Sequence, residues 1–393
     1  MSTHRVLIID DSVVIRRVLS EALKADPTIE VVGHAADGRI GLSKITQVQP
    51  DLITLDIEMP GLSGFETLKE IRKLYPKLPV IMFSTLTEKG AAATLDALAL
   101  GASDYVTKPS NTGSLDVTLK RIREELIPKV KALCSRSSGL SLLEPSPNAK
   151  QPAAYANIPQ RRPSGRIEVL AIGTSTGGPN ALSAVLPALS RDFPVPIVIT
   201  QHMPPLFTRL LAERLDKESQ IQIREGVSGG VLTPGKAWIA PGDHHMVLER
   251  QGTTVKLSLN QEPPENSCRP AVDVMFRSVA NVYGPAALAV VMTGMGSDGV
   301  RGSAEVRERG GAVVVQDEAS SVVWGMPGQV AAAGLADRIV PLEGLASEIE
   351  RLVRNAGTGP SVGSAKRQEP ENKKSPANDR AVGQPIVGLP RAE

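Results

Sequence analysis

Apolar and polar residues alternate along the first 125 residues in blocks of strand length and helix length. Short continuous apolar runs are each followed by a segment with apolar residues at helical spacing. Strands are predicted at 5–9, 30–34, 51–55, 79–83 and 105–107, with helices at 13–24, 39–48, 65–74, 88–100 and 115–133. Continuous apolar strands that alternate with helices are typical of a parallel sheet covered on both faces. The pattern therefore predicts a doubly wound α/β domain of five βα units.

A second block of this kind covers about residues 166–356. Strands are predicted at 169–172, 196–200, 287–292 and 312–316, with helices between them and a last helix at 345–355. Residues 235–250 and 253–259 have the pattern of a β-hairpin. This block predicts a second doubly wound α/β domain, with a mostly parallel sheet and one antiparallel hairpin.

Two stretches lack any apolar period. Residues 128–165 are dominated by Ser, Pro, Ala, Gln and Asn, and residues 357–393 mix Gly, Pro, Lys and Glu. Such compositions bury too little apolar surface to fold alone. We therefore expect a first domain at 1–127, a flexible linker at 128–165, a second domain at 166–356 and a disordered tail at 357–393.

Composition excludes several classes of function. Lys and Arg number 44 and Asp and Glu 42, a net charge of +2, and only 3% of residues are aromatic, which disfavours nucleic-acid binding. The two cysteines are far apart, so neither a disulfide framework nor a cysteine-based metal site is expected. No apolar segment reaches the ~20 residues of a membrane helix, and M-S-T-H-R leads directly into a strand, without a signal-peptide pattern. We expect a cytoplasmic protein that does not insert into membranes.

Charged and polar residues follow the predicted strands of the first domain directly. Asp10 and Asp11 follow the first strand, Asp56 the third, Ser84 the fourth and Lys108 the fifth. Ligands of parallel α/β sheets bind at the carboxyl ends of the strands. Three carboxylates at one edge repel each other and call for a divalent cation, and Mg²⁺ fits best. Each acid alone could be a simple helix cap, but together these positions predict phosphoryl transfer to Asp56.

The motifs around these positions are D-D after the first strand, L-D-I-E-M-P-G-L-S-G around Asp56 and V-T-K-P at the fifth strand. With them, this segment resembles a response-regulator receiver domain. The resemblance implies a flavodoxin-like fold, phosphorylation of Asp56 by the phosphohistidine of a histidine kinase, and sensing of the phosphoryl group by Ser84 and Lys108. The Mg²⁺ ligands that it implies are Asp10, Asp11, Asp56 and the backbone carbonyl of Glu58.

In the second domain, V-L-A-I-G-T-S-T-G-G-P-N at 169–180 predicts a strand, a sharp turn and the start of a helix. G-T-S-T-G fits G-x-S-x-G, in which the turn raises the serine hydroxyl to the tip of a sheet. Amides at the helix N-terminus then face negative charge that develops beside the hydroxyl. Ser175 is a candidate nucleophile, and a glycine-rich turn without catalytic function is the alternative.

A serine nucleophile needs a base, and the chain has five histidines. His202 directly follows a buried-type strand in Q-H-M-P-P, at the same predicted sheet edge as Ser175. The other histidines are His4 and His34 in the first domain, and His244 and His245 at a turn where solvation or capping is the simpler function. His202 is therefore the predicted base.

The base needs a carboxylate that holds its tautomer. Asp298 follows the strand 287–292 in T-G-M-G-S-D-G, while Asp243 and Asp317 are alternatives on position alone. The glycines of this loop let backbone amides point inward, so the Met295 amide is a candidate oxyanion donor. The chain order Ser, His, Asp differs from that of the α/β-hydrolases, which indicates a different fold.

Together, G-T-S-T-G-G-P, Q-H-M-P, C-R-P-A-V-D-V-M-F and T-G-M-G-S-D-G resemble the catalytic domain of the chemotaxis protein-glutamate methylesterase family, CheB. That family joins a receiver to this domain in the same order. The resemblance implies hydrolysis of glutamate methyl esters on chemoreceptor cytoplasmic helices, with release of methanol, and deamidation of receptor glutamines. It implies Ser175 as nucleophile, His202 as base and Asp298 as the orienting residue, without a cofactor in this domain.

The same resemblance places Thr176 and Met295 beside the nucleophile and the acyl oxygen. Arg269, in the C-R-P segment, is expected to border the substrate. The unphosphorylated receiver is expected to cover the active-site edge, and phosphorylation at Asp56 to shift the population away from that arrangement. Two other functions stay open: a phosphorylation-gated serine hydrolase or amidase acting on another protein, and a non-enzymatic switch whose second domain docks a partner.

Overall fold

The computed structural model describes residues 3–108, 115–137 and 165–355. Most of the predicted linker and all of the predicted tail lie outside these residues. Among the described residues, no helix combines the length and the apolar character needed to cross a bilayer.

The first domain is the predicted doubly wound sheet. Its strands are β1 (His4–Ile9), β2 (Ile29–Ala35), β3 (Leu52–Asp56), β4 (Val80–Ser84) and β5 (Asp104–Thr107). Its helices are α1 (Val13–Leu23), α2 (Gly38–Val48), α3 (Gly64–Leu74), α4 (Glu88–Ala99) and α5 (Leu115–Ser137). The strands pair in parallel in the order β2-β1-β3-β4-β5, which is the flavodoxin-like order.

Side-chain caps start four of these helices. Ser12, Asp37, Ser63 and Thr87 each accept a hydrogen bond from the amide three residues later. Because α1 begins right after Ser12, the two acids that follow β1 stay in the turn at the carboxyl edge of the sheet.

The second domain contains nine strands and six helices in the described residues. The strands are β6 (Val169–Thr174), β7 (Ile197–Gln201), β8 (Gln222–Glu225), β9 (Lys236–Ile239), β10 (His245–Gln251), β11 (Thr254–Asn260), β12 (Ala287–Val291), β13 (Ala312–Gln316) and β14 (Arg338–Val340). The helices are α6 (Gly178–Val185), α7 (Phe207–Glu218), α8 (Val272–Tyr283), α9 (Val300–Glu308), α10 (Met326–Ala332) and α11 (Leu342–Asn355).

Seven of these strands form one parallel sheet in the order β14-β13-β12-β6-β7-β9-β8. Along β6, Leu170 and Ile172 enter the apolar cluster that contains α6, α7 and α11, and Val169 and Ala171 enter the cluster on the α8 face. Both faces are therefore covered, which explains the continuous apolar strands. The strands that flank β6 are β7 and β12, so the loops after these three strands meet at one edge.

Some elements differ from the sequence prediction. The predicted first arm of the hairpin contains two strands: β9 joins the parallel sheet, and only β10 pairs antiparallel with β11. The prediction missed β8, β14 and α10, which are short and carry little apolar periodicity. Helix α5 runs through Pro128 to Ser137, so residues 128–137 of the predicted linker are helical.

The described residues of both domains belong to one compact unit. Tyr105 of β5 stacks on Phe207 of α7, with ring centroids 4.9 Å apart and planes 7° from parallel. The Asn180 side chain donates to the Leu98 carbonyl at 2.7 Å. The first domain therefore packs on the second through α4 and β5.

Candidate active site

Ser175 lies in the turn between β6 and α6, as G-x-S-x-G predicts. Gly177 in this turn has φ +77°, and a Cβ there would lie 2.6 Å from Val322, so this position favours glycine. The Ser175 amide donates to the Thr293 carbonyl (3.0 Å), and the Ser175 carbonyl accepts from the Gly178 amide (2.8 Å). These bonds fix the serine backbone at the carboxyl edge of β6.

His202 follows β7, the neighbouring strand. Its amide donates to the Thr174 carbonyl at 3.2 Å. The buried side chain of Gln201 donates through Nε2 to the carbonyl oxygens of Ser175 (3.0 Å) and His202 (3.2 Å). One buried amide group therefore joins the segments of the predicted nucleophile and base.

Asp298 lies in the loop that precedes α9, beside the first amides of α8, and is 2% exposed. Its Oδ2 accepts a 2.8 Å hydrogen bond from His202 Nε2. The other donors to its carboxylate are the amides of Val272 (2.7 Å), Asp273 (2.9 Å) and Gly299 (3.0 Å) and the side chain of Asn266 (2.9 Å). The first amides of a helix are otherwise without partners, and they stabilise an anion in this position.

The pKa values of this pair follow from their surroundings. Burial alone would raise the pKa of Asp298, but hydrogen bonds from His202 and from the α8 amides hold it below its ordinary value. Burial alone would lower the pKa of His202, but the facing Cys268 sulfur and the hydrogen bond to Asp298 raise it to about 10. In this arrangement the pair favours imidazolium and carboxylate, and an imidazolium cannot accept a proton from serine.

The contact between Ser175 and His202 is not formed. Across residues 3–108, 115–137 and 165–355, the Ser175 hydroxyl has no hydrogen bond, and His202 Nδ1 instead lies 3.5 Å from Cys268 Sγ. Both side chains line one cavity of about 290 Å³. The structure thus contains the hydrogen bond between His202 and Asp298 but not the one expected between Ser175 and His202. Ser175 lines the same cavity as His202.

Thr176 and Met295 line the same cavity. Gly294 lets the Met295 loop approach the nucleophile, since a Cβ on Gly294 would lie 2.8 Å from Ser175 Cβ. Within the described part of the chain, the backbone amides of Thr176 and Met295 donate no hydrogen bond. Both amides are therefore available to an oxyanion beside Ser175.

Arg269 lies outside the lining of this cavity. Its guanidinium bonds the Asp243 carboxylate (2.6 Å) and the carbonyl oxygens of Gln261 and Glu262 (both 3.1 Å). This side chain fastens the segment that precedes α8, and its expected contact with substrate stays a prediction.

The alternative acids and histidines have structural partners. Asp243 is paired with Arg269, and Asp317 accepts from the Ser320 amide at 3.0 Å. His245 is buried and accepts from the Ala271 amide at 3.2 Å. Of the three acids considered, only Asp298 contacts His202.

The acids of the first domain lie together at the carboxyl edge of its sheet. Oxygens of Asp10, Asp11 and Asp56 lie within 4.8 Å of one another, and Lys108 Nζ is 2.7 Å from Asp56 Oδ1. Asp10 and Asp56 are each 1% exposed, and within the described residues Oδ2 of each has no hydrogen bond.

Burial, and then the charge of Asp56, raise the pKa of Asp10 to about 6. Burial also raises the pKa of Asp56 despite Lys108. Such buried, unsatisfied carboxylates suit a hard divalent cation.

Ser84 and Glu58 are placed differently around Asp56. The Ser84 hydroxyl accepts from Thr94 Oγ1 (2.7 Å) and donates to the Gly90 carbonyl (3.1 Å), so it contacts α4. The Glu58 amide donates to Asp56 Oδ1 at 3.2 Å. Lys108 therefore contacts the predicted phosphoacceptor in this arrangement, whereas Ser84 does not.

The first domain lies over the cavity that Ser175 and His202 line. Its residues in the cavity lining are Asp104, Tyr105, Glu124, Glu125, Pro128 and Lys129. Thr176 Oγ1 donates a 2.7 Å hydrogen bond to Asp104, and Lys129 Nζ lies 3.1 Å from the same carboxylate. The cavity is therefore closed on one side by β5 and α5.

Sequence reasoning missed four residues of this site: Gln201, Asn266, Cys268 and Asp104. Gln201 and Cys268 precede His202 and Arg269 directly, inside the motifs Q-H-M-P and C-R-P, so a close reading of these motifs could have found them. Asn266 and Asp104 carry no such signal, because their contacts depend on tertiary packing.

Comparisons with known proteins agree over both domains. Residues 170–349 match the family model of the CheB methylesterase, and residues 6–120 match that of the response regulator receiver domain. A protein-glutamate methylesterase/protein-glutamine glutaminase of Trichodesmium erythraeum is 53% identical over 355 residues, which cover 90% of this chain and 100% of that protein. A protein of the same name from Nocardioides sp. is 52% identical, over 89% of this chain and 96% of its own.

Among solved structures, the CheB methylesterase catalytic domain of Thermotoga maritima is 41% identical and covers 48% of this chain and 99% of its own, with a TM-score of 0.47. The relatives that extend over both domains decide the assignment, since each is identical to this chain at more than half of the aligned residues. The chain belongs to the CheB family of protein-glutamate methylesterases and protein-glutamine glutaminases, with a receiver domain before the catalytic domain.

Proposed function

We propose that this protein hydrolyses glutamate methyl esters on the cytoplasmic helices of chemoreceptors and deamidates receptor glutamines, with Ser175 as nucleophile, His202 as base and Asp298 as orienting carboxylate. The observation that carries the proposal is the 2.8 Å bond between His202 and Asp298. These residues follow β7 and β12, the two strands that flank β6 and Ser175.

The proposed reaction is a two-step acyl transfer. Ser175 Oγ attacks the γ-carbonyl carbon while its proton passes to His202, and the amides of Thr176 and Met295 stabilise the oxyanion. His202 returns the proton to the departing methanol, or to ammonia when the substrate is glutamine. Water then gives a proton to His202 as it attacks the acyl carbon, and His202 passes that proton to Ser175 Oγ as the bond to the serine breaks. The receptor side chain leaves as a glutamate carboxylate, and Ser175 is regenerated.

The ring nitrogens have separate assignments in this mechanism. Nε2 bonds Asp298, so Nδ1 must serve Ser175. Nδ1 faces Cys268, and the His202 pKa of about 10 favours the protonated ring. Both features suit a resting arrangement, from which a small movement of the ring or of Ser175 is required before catalysis.

The receiver supplies the switch in this proposal. A histidine kinase transfers a phosphoryl group to Asp56, Lys108 and Ser84 contact it, and the population shifts away from the arrangement in which β5 and α5 close the cavity. The hydroxyl of Ser84 would leave Gly90 and Thr94 for the phosphoryl group, which links Asp56 to α4. In this proposal the receiver moves while both domains stay in one cytoplasmic chain.

The acid cluster of the receiver fits Mg²⁺. Asp10, Asp11, Asp56 and the Glu58 carbonyl would hold the ion, and the unsatisfied Oδ2 atoms of Asp10 and Asp56 support this assignment. Bound there, the ion neutralises charge on the transferred phosphoryl group. Lys108 supplies a further positive charge next to Asp56. No cofactor is proposed for the catalytic domain.

A methanol-release assay on methylated receptor tests the proposal. Ser175→Ala should lose release by several orders of magnitude while Asp56 still accepts phosphate. Release by the alanine variant at the wild-type rate would refute the nucleophile. Labelling of Ser175 by a fluorophosphonate without methanol release would favour a hydrolase with another protein substrate, and failure of both would favour a binding switch.

A further inference from the structure

A tight turn at residues 265–268, called here the 265–268 turn, lies against the His202–Asp298 pair. Glu265 and Cys268 exchange two backbone hydrogen bonds of 3.1 and 2.9 Å. The central residues Asn266 and Ser267 have φ of +52° and +62°, as in a type I′ turn. Glycine would adopt this backbone without strain, but neither residue is glycine. The positive φ values of Asn266 and Ser267 therefore carry an energetic cost.

The turn is fastened to the helix that binds the catalytic carboxylate. The Glu265 carboxylate pairs with both terminal nitrogens of Arg277 in α8, at 2.8 and 2.5 Å. Arg269, one residue beyond the turn, bonds Asp243. The turn therefore has a fixed position relative to the α8 amides that bind Asp298.

Asn266 bonds two buried carboxylates. Its Nδ2 donates to Asp298 Oδ1 and to Asp273 Oδ2, both at 2.9 Å. Burial raises the pKa of Asp273, and the charge of Asp298 raises it further. An amide group between two acids offers one N–H to each, which neither an aspartate nor an alanine could do. Asn266 therefore separates the orienting carboxylate from a neighbour that repels it.

Cys268 contacts the other end of the pair. Its Sγ lies 3.5 Å from His202 Nδ1, the nitrogen that must serve Ser175. The thiol also lines the catalytic cavity. The two side chains of one short turn thus meet Asp298 on one side and His202 on the other.

We propose that the 265–268 turn is a positioning element for the catalytic base, in which Asn266 fixes the orienting carboxylate and Cys268 holds Nδ1 of His202 in the resting arrangement. The inference rests on the proposed functions of Ser175, His202 and Asp298. Both side chains act through the His202–Asp298 pair, so they are positioning residues.

Variants of Asn266 distinguish the effect of its side chain from the effect of its positive φ. Asn266→Gly keeps the positive φ and removes the amide, and kcat for methanol release should fall about 10- to 100-fold with KM within about twofold. Asn266→Asp adds a negative charge near His202 and should move the acid limb of the kcat/KM profile to higher pH. Ser267→Gly is the matched control: it relaxes the same turn, and kcat should stay at the wild-type value.

Cys268 variants test the other contact. Cys268→Ala removes the sulfur, so the acid limb should move to lower pH and basal activity of the unphosphorylated enzyme should rise about threefold or more. Cys268→Ser keeps a polar atom toward Nδ1 and should return both quantities toward wild type. Opposite shifts in Asn266→Asp and Cys268→Ala are an outcome that a purely structural turn does not produce.

Thermal melting and Asp56 phosphorylation check that each variant is folded. If Asn266→Gly does not fold, the pH of the acid limb of Cys268→Ala tests the inference instead. That substitution removes only the sulfur atom of a partly buried residue, so we expect the variant to fold. Unchanged kcat and acid limbs in folded variants, with an inactive Ser175→Ala, would overturn this inference alone. Full activity of Ser175→Ala would overturn the proposed function instead.

Discussion

Thr176, the residue after the proposed nucleophile, donates a 2.7 Å hydrogen bond to Asp104 in strand β5 of the receiver. Both residues are 5% exposed, and Lys129 lies 3.1 Å from the same carboxylate. A buried hydrogen bond to a charged group contributes about 1.5–3 kcal/mol. The receiver is thus joined directly to the residue beside Ser175, by a contact that favours the closed arrangement.

Replacement of Asp104 should therefore weaken the closed arrangement. In Asp104→Ala, we expect the methanol-release rate of the unphosphorylated enzyme to rise at least about tenfold, since about 1.4 kcal/mol corresponds to a factor of ten and the lost hydrogen bond contributes about that much or more. The rate of the Asp56-phosphorylated enzyme should not change. Parallel assays with and without a phosphoryl donor measure both rates.

Glu88→Gln is the control for this interface. Glu88 pairs with Arg209 at 2.8 Å, but the two side chains are 70% and 46% exposed, so the pair contributes at most about 1 kcal/mol. Its effect on basal activity should be smaller than that of Asp104→Ala. Equal effects on basal activity would show that the buried hydrogen bond from Thr176 to Asp104 stabilises the closed arrangement no more than an exposed ion pair does.

Cys268 reports directly on closure of the cavity. It lines the cavity together with receiver residues, whereas Cys134 is buried, and burial raises the pKa of the Cys134 thiol to about 12. Iodoacetamide should therefore alkylate Cys268 and not Cys134 in the folded protein. Phosphorylation at Asp56 should increase the rate of Cys268 alkylation several-fold, as measured by mass spectrometry over time. A rate that does not depend on phosphorylation would contradict gating of this cavity by the receiver.

The doubly wound architecture could be predicted because parallel strands buried on both faces are continuously apolar. The positions of Ser175, His202 and Asp298 followed from a second regularity, since functional loops of such sheets follow the carboxyl ends of strands. Strands β8 and β14 escaped prediction because they are short edge strands with few buried residues. Their pairing depends on a sheet that is already formed.

The interactions that set the state of the site could not be predicted. The bond from Thr176 to Asp104 joins residues 72 positions apart, in different domains. The contact of His202 with Cys268 depends on the backbone of Asn266 and Ser267, which both have positive φ values. Neither residue is glycine, so the sequence does not indicate this turn. Residue identity thus indicated the candidate catalytic groups, whereas tertiary packing determined which contacts these groups make.

The acid cluster of the receiver predicts a stability effect that depends on pH. Asp10 has a pKa of about 6 in the folded chain against an ordinary value of 3.8, so the folded state favours the protonated form. Its contribution to stability is therefore lost as the pH rises from about 4 through about 6. Without Mg²⁺ at pH 7.5, Asp10→Asn should be more stable than wild type by as much as about 2–3 kcal/mol.

Thermal melting at two pH values and with added Mg²⁺ measures this effect. The advantage of Asp10→Asn should shrink as the pH falls and disappear below about pH 3, where the wild-type carboxyl is largely protonated in both the folded and the unfolded state. Mg²⁺ should raise the melting temperature of wild type and change that of the variant much less. A variant that is less stable than wild type at pH 7.5 without Mg²⁺ would contradict the burial argument.

The absence of a side chain at Gly294 lets its loop lie close to Ser175, the proposed nucleophile. A Cβ at this position would lie 2.8 Å from Ser175 Cβ and 2.5 Å from Met326 Sδ, both below ordinary contact distances. Ser175 is fixed through its amide and its carbonyl, so it can yield to the new methyl group only by leaving its place in the turn. Gly294→Ala should therefore lower kcat about 100-fold and destabilise the fold by about 1–3 kcal/mol.

Gly296 in the same loop offers the matched comparison. It has φ +79°, and a Cβ there would meet no atom within 4 Å, so Gly296→Ala introduces backbone strain without a collision. That strain costs about 1 kcal/mol, and kcat should fall less than in Gly294→Ala because Ser175 is not displaced. Methanol release and thermal melting of the two variants separate the two effects. Equal losses of kcat would mean that loop strain, and not the approach to Ser175, controls the rate.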